Sequence, residues 1–346
     1  MLRKACRKAC FLRQLGSAQS QLTRSLLGSR CFATSENAQI GTDPTPDGET
    51  HFGFQTVKAK DKEKLVGEVF TRVANTYDLM NDVLSVGIHR VWKDQMVQSL
   101  NPRAGVQHLD VAGGTGDISF RIYERLARTP GSASLFPFTD TSSNKQKANA
   151  SSSIVVCDIN QDMLNVGEDR ARKLGYNVCP SPYANIETLE QARSEAAAKA
   201  QTPQSSKGPT LSFQQGDAAN LFRFADNSFD SYSIAFGLRN VTETDKALQE
   251  AHRVLRKGGV FMCLEFSSME HFLAQKVYDE YSFRLMPVLG DIVAGDAASY
   301  KYLAESIRQF PSKKELAFRM ERAGFKSVSF ESMTFGMVAI HTGFKL

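Results

Sequence analysis

The sequence predicts a doubly wound α/β domain built on a mostly parallel sheet. Three observations carry that prediction. Short apolar runs alternate with amphipathic helical stretches along most of the chain. A glycine-rich turn joins the first of those runs to a helix. The last residues, Ser327–Phe344, alternate in character like a strand pair, which puts an antiparallel edge on the sheet. At 346 residues and 42% hydrophobic, the chain is long enough for one large core with appendages.

The elements follow in order. Val66, Val69, Phe70 and Val73 fall on one helical face, and a second helical stretch covers about Ser85–Gln98. A strand is expected at Val106–Ala112, then the glycine turn and a helix from about Ile118. Further strands are expected at Ile154–Asp158, Leu211–Gln215, Asp230–Phe236 and Val260–Phe266, with a helix from about Met163 between the first two. Ala247, Leu248, Ala251, Val254 and Leu255 make a helical stripe; Thr242 with Asp245 reads as its capping box and Gly258 as its stop. Ser312 and Glu315 open the last helix, which ends at Gly324. Two polar stretches break the rhythm, 129–152 and 180–209, and read as surface insertions.

The net charge of +5 is misleading about partners. Seven of the 42 basic residues lie in residues 1–35, where there is no acid; the rest of the chain holds 35 basic against 37 acidic residues. The body therefore has no basic surface of the kind that tracks a nucleic-acid backbone. Residues 1–32 are Arg-rich, acid-free and dotted with leucine, the composition of a mitochondrial transit peptide, with processing expected near Phe32. Residues 33–60 read as a flexible linker and 61–346 as the folded domain. No apolar run reaches the roughly 18–20 residues of a membrane span, so membrane contact is expected to be peripheral. Cys157, Cys179 and Cys263, the cysteines beyond the leader, show no metal-ligand spacing, and no metal is expected.

The strongest local signal is the run from His108 to Asp117, where a strand enters Gly113, Gly114, Thr115 and Gly116 and then a helix. Such a turn brings backbone close to a nucleotide at the C-terminal edge of a sheet. Asp117 at the helix mouth, with Asp110 nearby, is a poor neighbour for a diphosphate and a good one for a ligand carrying an ammonium and a sulfonium. The loop therefore favours S-adenosylmethionine over a dinucleotide. Asp158, at the tip of the next strand, can accept from ribose hydroxyls. It lies 48 residues after Asp110, and setting aside the 24-residue insertion restores the expected spacing of about 20. Asp217 after the third strand can accept from an adenine amino group, with the Ala218 backbone beside the ring.

Tyr77–Trp92, reading YDLMNDVLSVGIHRVW, resembles the first signature of the ubiquinone/menaquinone biosynthesis C-methyltransferases. Phe236–Val241 (FGLRNV), Tyr300–Ile307 (YKYLAESI) and Arg253–Gly259 (RVLRKGG) resemble further family segments, although Lys257 stands where the family usually has proline. The resemblance covers about Lys62–Leu346 apart from the insertions. It implies the class I methyltransferase fold, a seven-stranded sheet with an antiparallel edge and an N-terminal helical lid. It also implies S-adenosylmethionine as cofactor, held by Thr115, Asp158, Asp217 and Ala218, and C-methylation of a polyprenyl benzoquinol. With a transit peptide it implies work with other ubiquinone-synthesis proteins, on the matrix side of the inner mitochondrial membrane as a peripheral protein, with a homodimer allowed.

Methylation at carbon needs a ring made electron-rich by a hydroxyl and a group that takes the displaced ring proton. Arg239 is expected to stabilise a phenolate-like oxygen or orient a water, with Asn240 beside it and Tyr77 closing over the ring. Asn81, Tyr302, Ile307 and Phe310 are expected on the substrate side, with Met80 and Leu84 as further lining. His89 and Trp92 are expected to pack. Three other readings stay open: a menaquinone-type quinol methylase, a nicotinamide-dependent oxidoreductase on the same sheet, and a non-catalytic cofactor-binding scaffold.

Overall fold

A computed structural model describes residues 48–74, 77–128, 151–199, 208–269, 276, 280–285, 288 and 297–346. The side chains of 77, 78, 83, 84, 197–199, 283 and 285 lie outside that description. The proposed transit peptide, the first part of the linker, nearly all of insertion 129–152 and residues 200–207 of insertion 180–209 also lie outside it.

The sheet has seven strands: β3 (Gln107–Val111), β4 (Ser153–Asp158), β5 (Thr210–Gln215), β6 (Phe229–Ala235), β7 (Leu255–Phe266), β8 (Lys326–Met333) and β9 (Val338–Phe344). Their spatial order is β5-β4-β3-β6-β7-β9-β8. The first five run parallel, and β9 pairs antiparallel with both β7 and β8. This is the mostly parallel sheet with one antiparallel edge that the sequence predicted. Strand order reverses between β3 and β6, the place where doubly wound sheets bind ligands.

Strand β4 is apolar on both faces because helices cover both. Val155 and Cys157 of β4 join one core with α7 (Thr244–Val254) and α9 (Lys313–Arg322). Ile154 and Val156 join the other, with α3 (Ile88–Leu100), α4 (Asp117–Arg128) and α5 (Gln161–Lys173). Alternate residues of one strand thus feed opposite layers. Trp92 and His89 pack as expected: Trp92 is buried and its Nε1–H donates to Thr334 Oγ1 at 2.8 Å, while His89 Nε2 sits 2.8 Å from Asp82 Oδ1.

Four expectations change. Within the segment read as linker, β1 (Glu49–Phe52) and β2 (Gln55–Lys58) form an antiparallel hairpin that leads directly into α1 (Ala59–Val73). Phe52 stacks on Tyr302 with ring centroids 4.4 Å apart, and the Phe54 N–H donates to Glu305 Oε2 at 3.1 Å. Both partners lie on α8 (Ala297–Gln309), some 250 residues away, so local composition does not foretell the contact. Insertion 180–209 contains α6 (Leu189–Lys199), whose Ala192 packs with Ile186 and Ala225. Gly258 does not stop α7: the helix ends at Val254 and the fully buried Leu255 turns straight into β7. The Thr242–Asp245 capping box is absent as well, because α7 begins at Thr244 with no side-chain cap and Asp245 faces Arg319 and Arg322.

Candidate functional site

A cleft opens at the C-terminal ends of β3, β4 and β6. Its floor is Val111, Ala112 and Gly114 after β3, Asp158 and Ile159 after β4, Gly216–Ala219 after β5, and Ala235–Gly237 after β6. Its roof is α1, which contributes Ala59, Lys60, Glu63, Val66 and Phe70. Asn240–Glu243 close one side.

The floor is set by two turns packed back to back. Ala112 and Phe236 both take left-handed backbone, with φ of 51° and 56°. Non-glycine residues rarely do so, and such strain gathers where structure around it forces the conformation. Gly237 is required by proximity: a Cβ there would lie 2.3 Å from the Ala112 Cβ. The two turns can meet only because one of them lacks a side chain.

Asp158 sits as the sequence predicted, at the tip of β4 and facing the cleft. Its Oδ2 accepts from the Gly114 N–H and its Oδ1 from the Asn160 N–H, both at 2.9 Å. Burial raises its pKa against those hydrogen bonds. Asp217 and Ala218 also line the cleft, with Asp217 Oδ1 accepting from the Ala219 N–H at 2.9 Å. Opposite, on α1, burial and the charge of Asp217 raise the pKa of Glu63. Gly114 reaches the cleft. Gly113, Thr115 and Gly116 are absent from its lining and shape the turn from behind, with Thr115 buried.

The two acids on which the choice of cofactor rested are placed differently. Asp110 is buried beneath the loop, accepting from Ser119 and Ser233 at 2.7 and 2.6 Å; burial pushes its pKa up to about 6. Asp117 pairs with the buried Lys93 at 2.7 Å and with Arg121 at 3.5 Å. Burial pushes its pKa up, but Lys93 and Arg121 outweigh that and hold it below the ordinary value. Neither faces the cleft. The acids that do are Glu63, Asp158, Asp217 and Glu243.

Arg239 is corrected in the same way. Its guanidinium bonds Glu265 at 2.9 Å and the Phe236 carbonyl, and lies over the Phe266 ring. The two side chains of this ion pair are 5% and 1% exposed, and neither lines the cleft. Arg239 thus holds the Phe236–Asn240 turn from behind. Asn240 does line the cleft, and its Oδ1 accepts from the Tyr302 hydroxyl at 2.9 Å. Tyr302 therefore reaches the site through Asn240. Ile307 is buried in α8 and Phe310 packs against the main core, so neither lines the cleft. Met80 packs with Val73 and Tyr300. Asn81 lies on α2 (Tyr77–Ser85), outside the lining residues, and the Tyr77 and Leu84 side chains lie outside the described residues.

Sequence reasoning missed Glu63, Lys60, Ala112, Asn160 and Glu243. The signal for the first two was present: Lys60, Glu63, Val66 and Phe70 recur at three and four residues along one face of α1. Ala112 lies inside the run from His108 to Asp117 and Asn160 at the N-cap of α5, while no local pattern marks Glu243.

Comparison with known proteins identifies the family. The profile of the ubiE/COQ5 methyltransferase family matches residues 57–197 and 187–345. A protein of Oryza sativa subsp. japonica named 2-methoxy-6-polyprenyl-1,4-benzoquinol methylase, mitochondrial, is 46% identical over 96% of this chain and 99% of its own. Proteins with the same name from Dictyostelium discoideum and Homo sapiens are 41% and 42% identical, covering 97% and 96% of this chain and 100% and 93% of their own.

Proposed function

Because the chain belongs to the ubiE/COQ5 methyltransferase family, we propose that it methylates a ring carbon of 2-methoxy-6-polyprenyl-1,4-benzoquinol, giving the 5-methyl product of ubiquinone synthesis. The single observation that carries the reading is the make-up of the cleft: four carboxylates against one lysine, set among apolar side chains of roof and floor. Such a site suits a cationic cofactor and a flat, greasy ring.

The chain is an S-adenosylmethionine-dependent methyltransferase, and its residues fit that cofactor. Asp158 faces the cleft and keeps acceptor capacity beyond its backbone N–H partners for a ribose hydroxyl, since a carboxylate offers about four acceptor sites. Asp217 and Ala218 suit the adenine edge and face. When bound, the cofactor supplies an electrophilic methyl group on a sulfonium. The remaining work falls to the protein. Asn240 has its oxygen engaged by Tyr302, which leaves its amide N–H₂ to donate to a quinol oxygen and draw charge onto it. Arg239 and Glu265 fix the turn that carries Asn240. Val66, Phe70, Ala112 and Phe236 exclude water around the reacting carbons. Tyr77, at the start of α2, and Asn81 are proposed to close over the ring from the lid.

No helix among the described residues is long and apolar enough to cross a membrane. We take the relatives' mitochondrial naming and the basic leader to mean import, with residues 1–32 removed. Peripheral residence on the matrix side of the inner membrane, membership of a complex of ubiquinone-synthesis proteins, and a homodimer are part of the same proposal. The test is methyl transfer to a short-tailed demethyl benzoquinol. Product methylated at the ring carbon supports the reading; turnover confined to a naphthoquinol would redirect it to the menaquinone type.

A further inference from the structure

The roof and the floor of the cleft are joined at one residue. Asn160 follows Asp158 by two positions and is the N-cap of α5. Its backbone N–H donates to Asp158 Oδ1 at 2.9 Å. Its side-chain oxygen accepts from the N–H groups of Asp162 and Met163 at 2.9 and 3.1 Å. That is the ordinary duty of a capping asparagine. Its amide nitrogen does something a cap does not require. It donates to the Gly67 carbonyl at 3.2 Å and to Thr71 Oγ1 at 3.0 Å, both on α1. Thr71 in turn donates to Asp162 Oδ2 at 3.0 Å, in the first turn of α5. Asn160 is 9% exposed, so its two bonds to α1 are partly shielded from water, while the Thr71–Asp162 bond is exposed.

Each polar atom of Asn160 that these bonds use thus serves a different party: the carboxylate, the α5 terminus or the roof helix. The same carboxylate holds the glycine turn through the Gly114 N–H. A ligand diol that lands on Asp158 therefore loads a group whose position is shared with α1. We propose that Asn160 is a positioning residue that ties the roof helix α1 to the Asp158 carboxylate, so that filling the cofactor half of the cleft stiffens the roof over the substrate half. The proposal rests on the methyltransferase reading of the cleft. It orders the cycle: the cofactor enters first, and the apolar face of α1 then presents a fixed wall to the ring.

Asn160→Asp separates the two duties. Aspartate caps a helix as well as asparagine does, so α5 keeps its terminus, while both N–H bonds to α1 are lost. Thr71→Val, at an exposed position, removes one of the roof's two acceptors for Asn160 together with the bond to Asp162, leaves the Gly67 carbonyl, and covers the case in which N160D does not fold. The measurement is hydrogen exchange over residues 59–73 with and without S-adenosylhomocysteine, together with its affinity by calorimetry. In the unaltered chain the ligand slows exchange across α1 by about tenfold or more, since opening of α1 becomes linked to release of the ligand. In N160D and T71V the ligand binds within about threefold of the original affinity, a change worth less than the tenfold step of a lost strong contact, but the slowing falls below about twofold in N160D and by at least about half in T71V, where the Gly67 bond remains. Full slowing in either variant overturns the proposal, as does loss of ligand binding in T71V, because the contact would then serve the cofactor site itself. An unaltered chain that binds no S-adenosylhomocysteine overturns instead the reading beneath it.

Discussion

The floor and the roof of the cleft are built on opposite principles. The floor is made by strand ends inside a continuous core. Its turns are strained, its ions are buried in pairs, and its polar groups satisfy one another: His108 bonds Ser231 and Ser233 at 2.8 and 2.9 Å, and Ser233 bonds Asp110. The roof is a helix held on by a handful of polar contacts, by the small apolar clusters around Val66, Val73 and Met80, and by a hairpin clipped to α8. Chemistry that needs fixed atoms belongs on the floor. Admission of a long-tailed ring belongs to the roof, because opening it disturbs little else.

Four experiments press on that contrast, beginning with the largest effect. Arg239→Ala leaves the Glu265 carboxylate buried without its cation, which costs about 3–5 kcal/mol, read as a lower urea midpoint. The R239M/E265L double variant is expected to unfold at higher urea than R239A, because no stranded charge remains. Gly237→Ala drives a methyl into Ala112 and costs about 1–3 kcal/mol with loss of turnover. Adding Ala112→Gly removes the colliding methyl and restores part of both; a double variant no better than G237A would mean the two turns do not bear on each other.

The third experiment uses pH. The folded Asp110 value of about 6 lies above its ordinary 3.8, so between those values the folded chain holds the extra proton and this group's contribution to stability falls as pH rises. His108 works oppositely. Its folded value of about 3 lies below 6.5, so the unfolded chain holds the extra proton and stability rises with pH. The two oppose each other from about pH 3.8 to about 6. Asp110→Asn removes one of them, and unfolding free energy should climb more steeply across that window, by up to about 1.4 kcal/mol per pH unit. An unchanged slope in urea melts taken across that range would count against an Asp110 that stays protonated in the folded floor. The smallest effect is expected from Tyr302→Phe. It keeps the stack on Phe52 but frees Asn240, a loss of about 0.5–1.5 kcal/mol seen as up to tenfold lower kcat with the fold intact.

The floor was legible in the sequence because its signals are local. The run from His108 to Asp117 carries strand, turn and helix in ten residues, and Asp158 and Asp217 stand at strand tips that apolar runs mark by themselves. What escaped was pairing across distance. Asp117 looked like a free acid until Lys93, 24 residues earlier, neutralised it. Arg239 looked like a free cation until Glu265, 26 residues later, claimed it. The roof escaped for a different reason. The hairpin before α1 is polar and short, and the ring that its Phe52 stacks on lies on α8. Helix α6 reads as a polar insertion because it lacks an apolar stripe, yet its Ala, Glu and Lys content favours helix on propensity alone.

The contact between Ala112 and Gly237 also bears on redesign. With no room for even one methyl between the two loops, their contact at the bottom of the cleft offers an engineer nothing to fill. A variant meant to accept a bulkier aromatic acceptor would have to gain its space from the helix above, by trimming Val66 or Phe70. Acceptor range in this enzyme should therefore evolve from one side only.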